Sequence, residues 1–491
     1  MFVESITPLL AVLVSLIAGV FIVIFKNKPN IRESCSIIAS IIKFLIVISM
    51  LPVILNGDKI VYTLFTIIPG IDIKFGVDAF GLFFAITASS LWIITTFYSI
   101  GYMRSLKEHE QTRYFLFFAI ALSATMGVAF SGNLITLYLF YELLTLSTYP
   151  LIIHDETKKA LDAGTKYLAY MLTTSILFQL LAIFLVYSIT GTIDFSNNGV
   201  FSGNEPLTLI AVIFVLFIIG YAKSAMMPLH SWLPTAMIAP TPVSALLHAV
   251  AVVKTGVFSI VRVLLFIFGI KLLSSSGLGL IMCYFASFTI ILASIFALTQ
   301  DNLKKRLAYS TVSQLSYIVL GASLLTHNGI IGGIIHIVNH GFSKITLFFC
   351  AGSIYIASKK KNISELNGIG RKMPLTMAAF SIAVLSMIGI PPACGFLSKW
   401  YLALGSIESD NIPILIVILL SALLNAAYFL PIVYVAYFKS PDNDGEMEKV
   451  KEPSYFVVIP LLITAIISLI LFFAPSIFMD LIKITLRNMG V

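Results

Sequence analysis

Glu142 lies in the stretch LYLFYELLTLSTYPL, about ten residues from either end of a run that holds no other acid or base. Lys223 lies in FIIGYAKSAMMPLHSW, Lys166 in AGTKYLAY, and Lys399 in SMIGIPPACGFLSKWYLALG. His248 and Lys254 share TPVSALLHAVAVVKTGVFSIVRV. In GGIIHIVNHGFSKITLFF, His336, His340 and Lys344 stand at i, i+4 and i+8, which aligns them on one helix face. That stripe is about 12 Å long at about 1.5 Å per residue. Desolvation disfavours an isolated charge, and a lysine close to a carboxylate restores the ionised pair. Imidazoles titrate near neutral pH and exchange protons at both ring nitrogens. Amines, imidazoles and a carboxylate in apolar surroundings are therefore suited to passing protons rather than to breaking bonds.

Other uses of these residues fit the spacing less well. A Glu142–lysine pair could serve packing alone, but buried ion pairs are poor sources of stability. Alone, His248 reads as a hydrogen-bonded core histidine. His336 and His340 have zinc-like spacing, yet no nearby carboxylate or thiolate completes a tetrahedron. Haem would need histidine pairs on two helices. Neither a metal nor another cofactor is expected.

The elements that must position these groups follow from composition. Of 491 residues, 59% are apolar and 11% charged, and the mean hydropathy is +1.00. Soluble domains carry roughly 25% charge, so soluble enzymes, nucleic-acid binders and disordered chains are excluded. A membrane span needs about 20 apolar residues to cross roughly 30 Å of hydrocarbon. Fourteen candidates meet that: 5–25, 34–54, 77–99, 114–130, 132–152, 164–187, 207–238, 241–268, 276–299, 306–326, 328–357, 374–404, 412–437 and 456–478. Pro228 and Pro234 break the seventh, and the pair Pro391–Pro392 breaks the twelfth. The breaks are five spans apart. Five is odd, so spans 4–8 (residues 114–268) and 9–13 (residues 276–437) form two five-helix repeats of opposite orientation. Interrupted helices at matching places in inverted halves point to a transport site. The expected fold is an all-α polytopic membrane protein, residues 1–491 forming one integral membrane domain.

The loops set orientation. On one side they hold nineteen Lys or Arg, and on the other, with both termini, only Lys59, Lys74, Lys271, Lys483 and Arg487. The positive-inside rule then places the Lys-rich loops in the cytoplasm and both termini outside a cell (inner) membrane. It also accounts for the basic pI of about 9.1 without nucleic acid. Seven basic residues remain within spans, each costing about 2.5–3.5 kcal/mol at the bilayer centre on insertion scales. Of these, Lys43 and Arg262 are expected to lie near an interface and snorkel to it. Cys35, Cys283, Cys350 and Cys394 show no metal or redox spacing, and no nucleotide-binding motif occurs. The N-terminal apolar run is read as a retained first span.

With these residues in view, the chain resembles the antiporter-like family. This comprises the D and A subunits of Mrp-type cation/proton antiporters, the large proton-pumping membrane subunits of respiratory complex I, and membrane-bound hydrogenase relatives. The matching stretches are GVDAFGLFF (Asp78), YELLTLSTYPL, AGTKYLAY, AKSAMMPLHSWLPTAMIAPTPVSALLHAVAVVKTGVF (with His230), HIVNHGFSKITLFF and GIPPACGFLSKWYL. They span roughly residues 75–435. The resemblance implies a fourteen-helix core of two inverted repeats, each with a proton half-channel, joined by a mid-membrane row of Lys and His. It implies that Glu142 tunes Lys223 and that Lys166 is accessory to the first half-channel. Lys254 would link to His336, His340 and Lys344, and Lys399 would serve the exit side. Length and the GIPP…GF-x-x-K-W stretch look most like an Mrp D-type subunit. The expected partners are other membrane subunits, protons, Na⁺ or K⁺, and the lipid bilayer. The competing function is a pumping subunit of complex I or a hydrogenase, where redox chemistry elsewhere drives the same row. A stand-alone fourteen-helix drug/proton exporter would have parallel six-helix repeats, which leaves breaks five helices apart unexplained.

Overall fold

The computed structural model describes residues 2–441 and 448–490 and, at position 248, the backbone alone. Without water to satisfy N–H and C=O groups, a chain in hydrocarbon must close its hydrogen bonds within helices. Accordingly, helix occupies all fourteen of the apolar segments. Ten helices among the described residues are long and apolar enough to cross a membrane, and Leu207–Gly220 and Pro374–Ile388 are shorter apolar pieces. The eighth segment is pieced together from Thr241–Ala245, a wide turn at Leu246–Val250, Val252–Val263 and a second wide turn at Leu264–Phe268.

Side-chain caps define several starts. Asp78 accepts from Gly81 N at 2.7 Å and opens Ala79–Leu106, and Asn133 accepts from Thr136 N at 2.9 Å and opens Leu134–Ile152. Each satisfies a backbone donor that the first turn leaves free.

The eleventh segment, His327–Ser358, is the centre of the molecule. Its apolar window is 100% buried in protein, against 39% for the first segment, Thr7–Ile24. The peripheral helices turn Leu, Ile and Phe outward, as at Leu45, Phe184 and Leu423, where lipid would cover them. The helix that carries both histidines of the stripe thus has no lipid-facing side.

A small sheet and a final helix lie outside the spans. A three-stranded sheet joins β1 (Phe2–Glu4), β2 (Lys59–Ile68) and β3 (Ile71–Val77), with β1 parallel and β3 antiparallel to β2. Pro69 and Gly70 make the β2–β3 turn, where Gly70 takes φ +90°. A final helix, Ser476–Met489, buries Met479, Leu481 and Ile482 and packs against Ala79–Leu106.

Lys43 and Arg262 do not snorkel. Lys43 is fully buried, donating to Leu122 O at 3.0 Å with its ammonium 4.6 Å from the Trp92 ring centre. Arg262 is 1% exposed and grips Asp78 with both terminal nitrogens among Phe80, Phe195, Phe258 and Phe266. Hydrophobic spacing places a residue along a helix but not which neighbour covers it. Both side chains found protein acceptors before reaching water.

Candidate functional site

The two broken segments are where the backbone leaves polar groups for side chains to satisfy. After Leu207–Gly220 the chain makes one tight turn at Ala222–Ser224, and Ala225 takes φ +55°. The Trp232 indole N–H donates to the freed Ala222 O at 3.2 Å. Lys223 sits in that turn, fully buried. Its ammonium donates to Thr145 Oγ1 at 2.6 Å and to Tyr141 O at 2.8 Å, 3.2 Å from the Tyr141 ring centre. Thr145 and Tyr141 stand at i and i−4 on Leu134–Ile152, so one face of that helix receives the lysine.

Glu142 is on the adjoining face. Both its carboxylate oxygens are buried and have no hydrogen-bond partner among the described residues. Among the described residues Glu142 makes no hydrogen bond to a lysine, although Lys223 stands close enough for the two charges to interact. Lys223 meets the backbone carbonyl of the residue just before it instead.

The second break follows Pro374–Ile388, where Gly389 ends the helix with φ +92°. Lys399, on Gly395–Glu408, folds back to donate to Met387 O at 2.9 Å and Ile388 O at 2.8 Å. These carbonyls lie at the negative end of the half-helix dipole, which favours a cation. Neighbouring helices close the rest. Asn339 Nδ2 donates to Cys394 O at 2.8 Å, and Cys394 N donates to Ser468 O at 3.0 Å.

Between the breaks runs a row of contacts. Lys254 Nζ is 2.8 Å from His340 Nδ1, and both are 1% exposed. The His340 and His336 rings are stacked with centres 5.8 Å apart. His336 Nδ1 is 2.7 Å from Ser398 Oγ, the residue next to Lys399. His336 Nε2 is buried without a hydrogen-bond partner among the described residues. The Tyr317 ring lies 5.6 Å from the His336 ring and 5.4 Å from the Lys399 ammonium. Close packing produces this register. A Cβ on Gly332, one turn before His336, would sit 2.7 Å from Leu402 N, so only glycine lets Gly395–Glu408 bring Ser398 to the imidazole. Likewise a Cβ on Gly256, two residues past Lys254, would sit 2.3 Å from Ser224 N beside Lys223.

Lys344 leaves the row. It is fully buried but donates to Ser310 Oγ at 3.0 Å and Leu307 O at 3.2 Å on the tenth segment, Leu303–Ser323. Ser310 also accepts from Tyr428 OH at 3.1 Å. Lys166 is farther out, donating to Thr235 Oγ1 at 3.3 Å inside a vestibule of about 830 Å³. That vestibule is lined by Glu108, Asp155, Lys159, Asp162 and Lys304 among others, all from the Lys-rich side. At the other end of Ala79–Leu106, a cavity of about 350 Å³ exposes the Asp78–Arg262 pair together with Lys59, Lys74 and Asp194. The His248 side chain lies outside the described residues, and its backbone is in the wide turn Leu246–Val250.

Chemically, an amine and an imidazole at 2.8 Å can hold one proton at either atom. Ser398 can relay, because a hydroxyl both donates and accepts. With the ring centres 5.8 Å apart, a bridging water or a ring rotation can carry the proton between the two imidazoles. Thr145, Ser310, Tyr317 and Ser398 contact these groups, and charge-based reading missed them. Their signal is small polar residues on faces that a lipid-exposed helix would keep apolar.

Residues 131–425, more than half the chain and holding Glu142 and every lysine and histidine of the row and its two breaks, match the family model for the NADH:quinone oxidoreductase/Mrp antiporter membrane subunit. The chain belongs to this family. It is 33% identical over 369 residues to NADH-quinone oxidoreductase subunit N of Desulforudis audaxviator, covering 73% of each. Subunit M of the Rickettsia prowazekii NADH-quinone oxidoreductase is 28% identical over 98% of both chains. A putative antiporter subunit mnhA2 of Staphylococcus haemolyticus is 30% identical over 99% of this chain, which spans 63% of that relative's length. Among solved structures, an archaeal membrane-bound sulfane sulfur reductase complex matches with TM-score 0.88 at 24% identity, covering 99% of this chain and 98% of the other. The Mrp complex from Dietzia sp. matches with TM-score 0.88 at 20% identity, covering 99% and 97%. At these identities the structural likeness speaks for the fold. The protein is thus a multi-pass membrane protein, a proton-antiporter-like subunit of the Mrp and complex I type.

Proposed function

We propose that this chain is the proton-translocating subunit of a multisubunit monovalent cation/proton antiporter, of the Mrp D type. The observation that carries the reading is the enclosed row Lys254–His340–His336–Ser398, ending beside Lys399, on a central helix with no lipid-facing side. Protons enter from the Lys-rich cytoplasmic side through the vestibule past Lys166, which is accessory to the first half-channel. Glu142, whose oxygens have no hydrogen-bond partner among the described residues, tunes Lys223 from the helix Leu134–Ile152, whose Tyr141 and Thr145 hold the ammonium. Lys254 passes the proton to the histidines, with His248 and Lys344 beside the row, and Lys399 releases it through the second half-channel. The two inverted repeats, residues 114–268 and 276–437, supply one half-channel each. The placement of Tyr141 against Lys223 and Tyr317 against Lys399, on segments five apart, supports that pairing. Other membrane subunits of the complex supply the Na⁺ or K⁺ path, and both termini face outside.

A second reading, a pumping subunit of a respiratory complex, is favoured by the end-to-end match to subunit M and the 33% identity to subunit N. Purification of the native complex separates them: antiporter subunits support the first, Fe–S and flavin subunits the second. In vesicles bearing that complex, Glu142→Ala should abolish proton translocation while assembly stays intact. Full exchange by an assembled Glu142→Ala complex would sink the role assigned to this acid.

A further inference from the structure

The turn after Ala79–Leu106 and the turn after Leu134–Ile152 meet at the vestibule rim, and they bring together groups that proton transfer along the row does not use. Lys107 and Glu110 both adopt left-handed backbone, φ +52° and +44°, which folds Glu108 and His109 sharply over His154. One ligand atom from each of Glu108, His109 and His154 lies within 4.8 Å of the others. The His109 and His154 rings stack with centres 4.8 Å apart.

His154 makes this more than a chance cluster. It is fully buried, and neither ring nitrogen makes a hydrogen bond of normal geometry among the described residues, with the His109 backbone close by. An imidazole buried with so little to bond leaves the cost of desolvating its nitrogens largely uncompensated. An unprotonated imidazole carries the lone pair that a metal ion needs.

We propose that Glu108, His109 and His154 bind one divalent transition-metal ion of the zinc class. Two imidazoles and a carboxylate, with water in the fourth position, are an open zinc donor set. Tetrahedral bonds of about 2.0–2.1 Å place ligand atoms about 3.3 Å apart, so the cluster closes by about 1.5 Å at its widest. Exposed His109, on its turn, supplies that movement. Surrounding charges permit it: Asp155 and Glu156 adjoin the site, and Arg113 is held by Glu156 and by the His154 carbonyl at 3.1 Å. Lys359 is the remaining cation near Glu108.

The test uses the full chain in detergent micelles, stripped with a chelator and titrated with Zn²⁺ against a chromophoric competitor. Wild type should take up one tight equivalent more than the double variant Glu108→Gln/His109→Ala, with each single change weakening that site at least tenfold. Both positions are solvent-accessible, so the fold survives, and thermal unfolding of the metal-free variants checks it. Co²⁺ bound to wild type should show tetrahedral visible bands that the double variant lacks. Equal Zn²⁺ uptake by wild type and double variant, or no tight equivalent in wild type, would overturn the proposal. Neither readout depends on transport, so failure here leaves the proton-transfer reading standing.

Discussion

The two helix breaks solve one problem in different ways. Each holds a buried lysine against a tyrosine ring, and each carries a cis prolyl bond, Met227–Pro228 and Pro391–Pro392. At the first break the ammonium reaches outward to a different helix, gripping the Thr145 hydroxyl and Tyr141 carbonyl next to Glu142, whose oxygens have no hydrogen-bond partner among the described residues. At the second the ammonium folds inward, onto the Met387 and Ile388 carbonyls that its own segment left free. Lys223 therefore links helices and lies near an acid, whereas Lys399 caps the half-helix that precedes it. The same residue type thus serves as an interhelical contact in one half and as a helix terminus in the other. The first placement sets an acid near the lysine, the second an imidazole, His336.

The largest effect should come from removing either lysine. Lys223→Ala and Lys399→Ala should each reduce proton translocation in vesicles to background, more than tenfold. They should differ in stability: Lys399→Ala strands the buried Ile388 carbonyl, worth roughly 1–3 kcal/mol, while Met387 O keeps Asn425 Nδ2 at 3.3 Å, and should lower the unfolding temperature more than Lys223→Ala does. Equal destabilisation would erase the distinction between cap and link. Next, the double change His336→Leu and His340→Leu removes the row between the breaks and should cut flux about tenfold or more with both lysines in place. Normal flux would show that the breaks work without it. The smallest effect concerns packing. Gly256→Ala places a methyl 2.3 Å from Ser224 N, and Gly389→Ala places one 2.7 Å from Lys399 Cδ at φ +92°. Overpacking costs about 1–3 kcal/mol, measurable as a lower unfolding midpoint. Gly256→Ala should be the worse for the first break, because backbone cannot yield as a lysine stem can.

Much of this was legible in the sequence. Helical segments, both breaks and the His336–His340–Lys344 stripe follow from the length of apolar runs, proline chemistry and helical periodicity, all of which are local. The bilayer makes these local signals decisive, since it allows few ways to satisfy a backbone. Partner choice was not legible. Lys344 shares a face with the histidines, yet it bonds Ser310 because the tenth segment packs there. Lys43 and Arg262 are apolar-segment cations like the others, but Trp92 and Asp78 enclose them. The sheet of β1–β3 joins strands more than fifty residues apart, and no periodicity encodes such pairing.

The sequence alone therefore determined which groups are buried in helices and where those helices break. Tertiary structure decided which atoms meet: Lys223 with Thr145 rather than Glu142, His336 with Ser398, and His154 with Glu108 and His109. The physical reason is reach. A hydrogen bond is made or lost within a few tenths of an ångström, and at that scale the crossing of helices, which small residues such as Gly332 and Gly256 allow, decides the partner.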